Sequence, residues 1–212
     1  MVFDELLALV GREPIFESSL LLAGEANPAY LRRQLSEWVR AGKLLQLRRG
    51  LYALAPPYQQ VPPHPFLVAN RLMPGSYVSL QTALAFYDLI PEHVAAVTSI
   101  GPRRPGEWST PLGEFLYQYV RPELLFGYEQ RLVDDGQAAF VATPEKALLD
   151  LIYLQPGADI AAYVASLRLQ NLDRLDLSAL DALGRRFNRP KMRRAVQAIA
   201  AEAERARAFE PL

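Results

Sequence analysis

The stretch Asn27–Leu54, NPAYLRRQLSEWVRAGKLLQLRRGLYAL, decides how the first quarter of the chain folds. Asn27 followed by Pro28 is a helix start: a side-chain acceptor at the cap, then a residue with no N–H to waste at the first helical position. Leu31, Leu35, Trp38 and Val39 recur on one face, and Gly42 stands just beyond Ala41, where a left-handed C-terminal cap belongs. After Gly42 the period changes. Lys43–Leu47 and Leu51–Leu54 are predicted as two short strands joined around Arg48, Arg49 and Gly50.

Upstream of this stretch, Phe3, Leu6, Leu7, Leu9 and Val10 lie at helical spacing, and Gly11–Pro14 makes a turn. Ser18 or Ser19 then caps a short helix, Leu20–Ala23, closed by Gly24. Three helices followed by a hairpin is the order of a winged helix-turn-helix. Downstream, five prolines (Pro56, Pro57, Pro62, Pro63, Pro65) fall within eleven residues, a density that neither helix nor central strand tolerates. The expected organisation is therefore α+β in class. Residues 1–55 form an N-terminal winged helix-turn-helix, 56–65 a semi-rigid linker, and 66–212 a mixed α+β domain with a helical tail.

Within the second part, Phe66–Met73 is predicted helical, Ser76–Ser79 a strand, Leu80–Ile90 a helix capped by Ser79, and Ala95–Ile100 a strand. Glu114–Val120 alternates, with Phe115, Tyr117 and Tyr119 on one side. Tyr128–Val133 and Ala138–Val141 flank the turn Asp134–Asp135–Gly136. Thr143, Pro144 and Glu145 open a helix through Leu154 as cap, first-turn proline and dipole partner. From Asp159 the pattern is helical, ending in an amphipathic run from Lys191 to Phe209.

The 212 residues carry 23 Lys+Arg and 23 Asp+Glu, a formal charge of zero, which argues against a polycationic coating protein or a polybasic anchor. There is no cysteine, and His64 and His93 are the two histidines, so thiolate zinc sites, disulfides and histidine-rich metal centres are excluded. No metal or other cofactor is expected. The first residues lack the basic region of a signal peptide, and no apolar run approaches the roughly 20 residues of a membrane span. A cytoplasmic protein without membrane contact is the expectation.

The neutral total hides a local imbalance. Residues 27–50 contain Arg32, Arg33, Arg40, Lys43, Arg48 and Arg49 against Glu37 alone. On the helix, Arg32, Arg33, Ser36 and Arg40 point away from the leucine face. The second helix of a helix-turn-helix enters the major groove, where arginine fits the guanine edge. Lys43, Arg48 and Arg49 would lie on the wing, within reach of phosphates or the minor groove. The plain alternative is a solvated helix face with an ordinary hairpin. A second cluster, Arg185, Arg186, Arg189, Lys191, Arg193 and Arg194, has no acid among residues 185–194. It is a candidate contact for nucleic acid or an acidic partner, or simply the exposed start of the last helix.

Catalytic signals are thin. Glu145, Lys146 and Asp150 share a helix, and Glu145 and Lys146 would be the best candidates for a metal-dependent phosphotransfer or nuclease site, the alternative function. However, Lys146 and Asp150 stand four apart, the spacing of a helical salt bridge. Ser79 has no Gly-x-Ser-x-Gly context, and Gly101–Gly106 lacks the end of a phosphate-binding loop. Phe115, Tyr117 and Tyr119 suit a packed sheet face better than an RNA stacking platform. A pure protein-interaction module is a third possibility.

Three blocks together carry a resemblance: Gly50-Leu51-Tyr52-Ala53, Tyr77-Val78-Ser79-Leu80-Gln81-Thr82-Ala83-Leu84, and Ala142-Thr143-Pro144-Glu145-Lys146-Ala147-Leu148-Leu149-Asp150-Leu151. Over roughly residues 1–155 the chain resembles the AbiEi family of antitoxins, transcriptional regulators of viral defence systems. The resemblance implies a repressor that binds inverted repeats in its own promoter. One short helix reads too few base pairs for genomic specificity, so a homodimer or cooperative pair on DNA is expected. The resemblance also implies that the protein counters a nucleotidyltransferase-like toxin without a stable complex, in the manner of a type IV toxin–antitoxin pair. Arg32, Arg33, Ser36, Arg40, Arg48 and Arg49 would then contact the operator, and Thr143–Asp150 would be a core element rather than a catalytic one.

Overall fold

A computed structural model describes residues 1–22, 27–92, 94–134 and 136–209. The N-terminal part runs α1 (Phe3–Val10), β1 (Phe16–Glu17), α2 (Ser18–Leu22), α3 (Pro28–Arg40), β2 (Leu44–Arg48) and β3 (Leu51–Leu54). The Asn27 side chain accepts from the Tyr30 N–H, and Pro28 opens α3 as expected. The expected close of α2 at Gly24 lies outside the described residues, as does Asp135 of the Asp134–Gly136 turn.

The three strands form one sheet in the order β1-β3-β2, all antiparallel. All four residues of β3 are buried, because the sheet is covered on both faces. On one face Leu44, Tyr52 and Leu54 pack with Leu6, Val10, Phe16, Leu21, Leu31 and Leu35 into a small core. On the other face Ile15, Leu47, Leu51 and Ala53 belong to the large core of the rest of the molecule.

That second part runs α4 (Pro65–Leu72), β4 (Tyr77–Val78), α5 (Leu80–Phe86), β5 (Val97–Gly101), β6 (Gly106–Thr110), β7 (Gly113–Tyr119), β8 (Tyr128–Asp134), β9 (Gln137–Ala142), α6 (Pro144–Leu154), α7 (Ala161–Ser166), α8 (Leu177–Arg186) and α9 (Pro190–Phe209). Its six-stranded mixed sheet has the order β6-β7-β5-β4-β9-β8. Two expectations are corrected. The helix predicted to reach Ile90 stops at Phe86, because Asp88 takes a left-handed conformation and the Leu89 N–H folds back to the Leu84 carbonyl (2.8 Å). Ser79 does precede this helix, but its side chain makes no cap: Oγ donates instead to Asp150 (2.9 Å). Strand β6 is additional to the strands expected from the sequence, and it pairs along its whole length with β7.

The proline segment is pinned at both ends. Tyr58 packs edge-on against Phe3 in the small core, and Gln59 Nε2 donates to the Leu54 carbonyl (3.0 Å). At the far end Gln137 accepts from the His64 N–H (2.8 Å) and donates to the Pro62 carbonyl (2.8 Å). His64 also caps α4, its Nδ1 accepting from the Phe66 N–H (3.1 Å). Burial lowers the imidazole pKa, with Asp134 opposing. A folded pKa below the unfolded one means that the unfolded chain takes up the proton first. Stability is therefore retained at neutral pH and falls as pH drops through the unfolded value of about 6.5. The expected loss is about 1 kcal/mol, the worth of a cap. Thermal melts between pH 7.5 and 5.5 check it against His64→Asn, which keeps an acceptor and should lack this step.

Candidate nucleic-acid interface

Helix α3 buries Leu31 and Leu35 and leaves Arg32, Arg33, Ser36 and Arg40 exposed. Among the described residues, the guanidinium groups of Arg32 and Arg40 have no protein partner. Arg33 is paired with Glu37 on the same helix (3.4 Å) and lies over the Tyr30 ring. Both Arg33 and Glu37 are well exposed, so the pair holds the guanidinium only loosely. Ser36 Oγ donates back to the Arg32 carbonyl (3.0 Å), leaving its lone pairs outward. Tyr30, 44% exposed, and Gln34, whose amide donates to the Tyr30 hydroxyl (3.1 Å), stand on the N-terminal half of the same helix. They flank the arginine stripe rather than lie on it, and their own i,i+4 spacing is the sequence signal that pairs them.

The hairpin separates the residues expected on it. Leu51 faces Arg48 across the ladder, so Arg49 and Gly50 alone make the turn, with Gly50 at φ +83°. Arg49 is exposed at the tip, with no side-chain partner among the described residues. A bulge between Gln46 and Arg48 turns Arg48 inward. Its guanidinium donates to the Arg49 and Arg71 carbonyls (3.2 and 3.3 Å) and faces Glu17 at 3.7 Å. Arg48 thus braces the hairpin against α4, correcting its expected place at the tip. Lys43 likewise turns onto aromatic surface, its ammonium 4.5 Å from the Phe3 ring centre.

The second basic cluster also disperses. Arg185 and Arg186 end α8, where cations meet the negative end of the dipole, so only Lys191, Arg193 and Arg194 lie in the first five residues of α9. Lys191 Nζ donates to the Tyr153 and Gln155 carbonyls (3.2 and 2.6 Å) at the end of α6. Arg194 binds Asp159 (2.6 Å), and Arg185 pairs with Asp181. Arg186 sits 3.8 Å over the Phe126 ring. Arg186 and Arg189 line an open cleft of about 470 Å³ together with Arg121, Glu123 and Tyr153. Arg193 is exposed.

Glu145, Lys146 and Asp150 are buried. Lys146 and Asp150 pair directly with both side chains wholly out of solvent. Lys146 Nζ also donates to the Leu124 carbonyl (3.1 Å) and lies over the rings of Phe126 and Phe187. Asp150 accepts from the Tyr77 and Ser79 hydroxyls (3.0 and 2.9 Å). Burial draws the lysine pKa down and pushes the carboxyl pKa up, while the pairing opposes both shifts. Glu145 accepts from the Asp176 N–H (3.0 Å), tying α6 to the start of α8. What the four-residue spacing suggested as a plain helical salt bridge is a polar knot inside the large core.

No protein-family model matches the sequence, and no curated protein matches it. The structure is similar to the crystal structure of the Rv2827c protein from Mycobacterium tuberculosis. The TM-score is 0.55 at 15% sequence identity, covering 99% of this chain and 81% of that one. At that identity the likeness concerns the fold alone, a mixed α+β architecture. Among the described residues, no helix is long and apolar enough to cross a membrane.

Proposed function

We propose that the chain is a cytoplasmic, sequence-specific DNA-binding repressor whose N-terminal part acts as a winged helix-turn-helix. In this reading α3 enters the major groove and the Arg49 tip touches backbone. The observation that carries it is the pair of guanidiniums without a partner among the described residues, Arg32 and Arg40, two turns apart on the exposed face of α3. The order α1-β1-α2-α3-β2-β3, closed into one small sheet, supports the same reading. The resemblance of its sequence blocks to AbiEi antitoxins extends the proposal. The protein would autoregulate its operon through inverted repeats and counter a nucleotidyltransferase-like toxin. The burial of Lys146 and Asp150 favours a core role for that block over a reacting one.

Fluorescence anisotropy against the DNA upstream of its own gene tests the proposal. Arg32→Ala and Arg40→Ala should each weaken specific binding by about 1–3 kcal/mol, roughly 5- to 150-fold. Arg49→Ala should weaken all sequences alike and reduce the slope of log K against log salt by about 1. Arg48→Ala should leave that slope unchanged, because its guanidinium is held by the fold. Binding of the Arg32→Ala/Arg40→Ala double variant as tight as that of wild type would sink the proposal. Co-expression with a nucleotidyltransferase-like gene found beside its own, scored by growth, tests the antitoxin extension separately.

A further inference from the structure

The six-stranded sheet has two edges, and they are treated differently. Strand β6 at one edge is packed against by β2 of the N-terminal sheet. Strand β8 at the other edge is exposed along nearly its whole length. It carries Tyr128-Glu129-Gln130-Arg131-Leu132, with Leu132 76% exposed, and its neighbour β9 presents Phe140 at 45%.

The hydrogen bonding of β9 fixes which main-chain groups of β8 are free. In an antiparallel pair, successive residues point their N–H and C=O alternately toward and away from the neighbour. The Thr143 N–H donates to the Gly127 carbonyl (2.9 Å), so position 127 faces inward. Phe140 gives its N–H to Asn70 Oδ1 (2.6 Å), and the Ala142 carbonyl accepts from the Tyr87 hydroxyl (3.0 Å), both away from β8. Their register partners Gln130 and Tyr128 therefore turn their main-chain groups outward, and Leu132 follows by alternation.

We infer that β8 is a self-pairing edge on which a second copy of this chain docks antiparallel, with the two-fold axis at Gln130. In that register Gln130 meets its own copy, and the outward groups of Tyr128, Gln130 and Leu132 all find partners. Glu129 of one copy then faces Arg131 of the other, twice over, and Tyr128 faces Leu132. Within one chain Glu129 and Arg131 pair with each other, so dimerisation exchanges partners rather than stranding a charge. Charge on an edge strand ordinarily repels other strands. Here its pattern is complementary to itself, and it flanks the most exposed large apolar side chain of the described structure. The inference rests on the sheet and not on the DNA-binding reading.

The test is made without DNA, so failure of operator binding cannot affect it. Sedimentation equilibrium of the full chain should show a monomer–dimer equilibrium. Glu129→Arg places like charges opposite each other at two symmetric sites and should weaken dimerisation about tenfold. Glu129→Arg/Arg131→Glu should restore it. The chain has no cysteine, so Gln130→Cys adds a single thiol at the axis, where Cα atoms about 5.5 Å apart permit a disulfide. Under oxidant this variant should cross-link, whereas Ser109→Cys on β6 should not. A wild type that stays monomeric at every soluble concentration overturns the inference. So does a double variant as weak as Glu129→Arg, or a Gln130→Cys chain that cross-links no better than Ser109→Cys.

Discussion

Replacing Lys146 by alanine is expected to remove about 3–5 kcal/mol of folding free energy, a large share of the roughly 5–15 kcal/mol available to a protein of ordinary stability. Alanine leaves the Asp150 carboxylate in the core with two hydroxyl donors and no cation. It also leaves the Leu124 carbonyl without its donor and empties the space between Phe126 and Phe187. Urea titration at neutral pH reads the loss as a lower midpoint. Acidification should narrow the gap to wild type. Without the lysine, burial raises the Asp150 pKa further above its unfolded value, so the folded variant takes up a proton and gains stability as pH falls through that raised pKa. Lys146→Met/Asp150→Asn removes both charges while keeping an acceptor for Tyr77 and Ser79, and should recover most of the loss. If the double variant is as unstable as Lys146→Ala, the cost lies in packing and not in the stranded charge.

The second large effect is expected at Leu51. It is wholly buried, it packs into the large core, and its strand also floors the small one. Leu51→Ala should cost about 2–5 kcal/mol. Its signature is where the loss appears. Trp38 borders the small core and Trp108 the large one, and they are the two tryptophans of the chain. Trp38→Phe and Trp108→Phe backgrounds thus give separate fluorescence reports. Because β3 serves both cores, Leu51→Ala should shift both midpoints by the same amount in denaturant. A shift confined to Trp108 would mean that residues 1–55 unfold as a separate unit.

Much of this architecture is legible in the chain. Asn27-Pro28 and Gly42 bound α3 within a residue or two, because cap chemistry is local. Thr143 accepts from the Lys146 N–H, as its position ahead of Pro144 implies. Leu51–Leu54 shows no alternation, which is what a strand covered on both faces looks like. Other features depend on partners far away in sequence. Gly106–Thr110 is a short run directly after the turn residues of Gly101–Gly106, and its pairing with β7 makes it a strand. Arg48 and Arg49 are adjacent and chemically identical, and a bulge sends one inward to Glu17 and leaves the other at the tip. The Lys146–Asp150 spacing is the same for an exposed pair as for a buried one. The clue lay in its surroundings: in PEKALLDLIYL the apolar residues run round the whole helix, the mark of a helix with no wet side. Composition marks the interface candidates, and geometry divides them.

The sheet shared by the two cores has a mechanical consequence. A module on a slack tether can swivel to meet whatever spacing its target offers. Here β3, the Gln137 clamp and the Arg48 brace fix α3 to the body of the molecule. If two such bodies join, and α3 reads DNA as proposed, the separation and helical phase of the two helices are set by the protein and not by the DNA. On that reading the molecule would act as a calliper, accepting half-sites at one pitch and rejecting the same sequences a few base pairs out of phase.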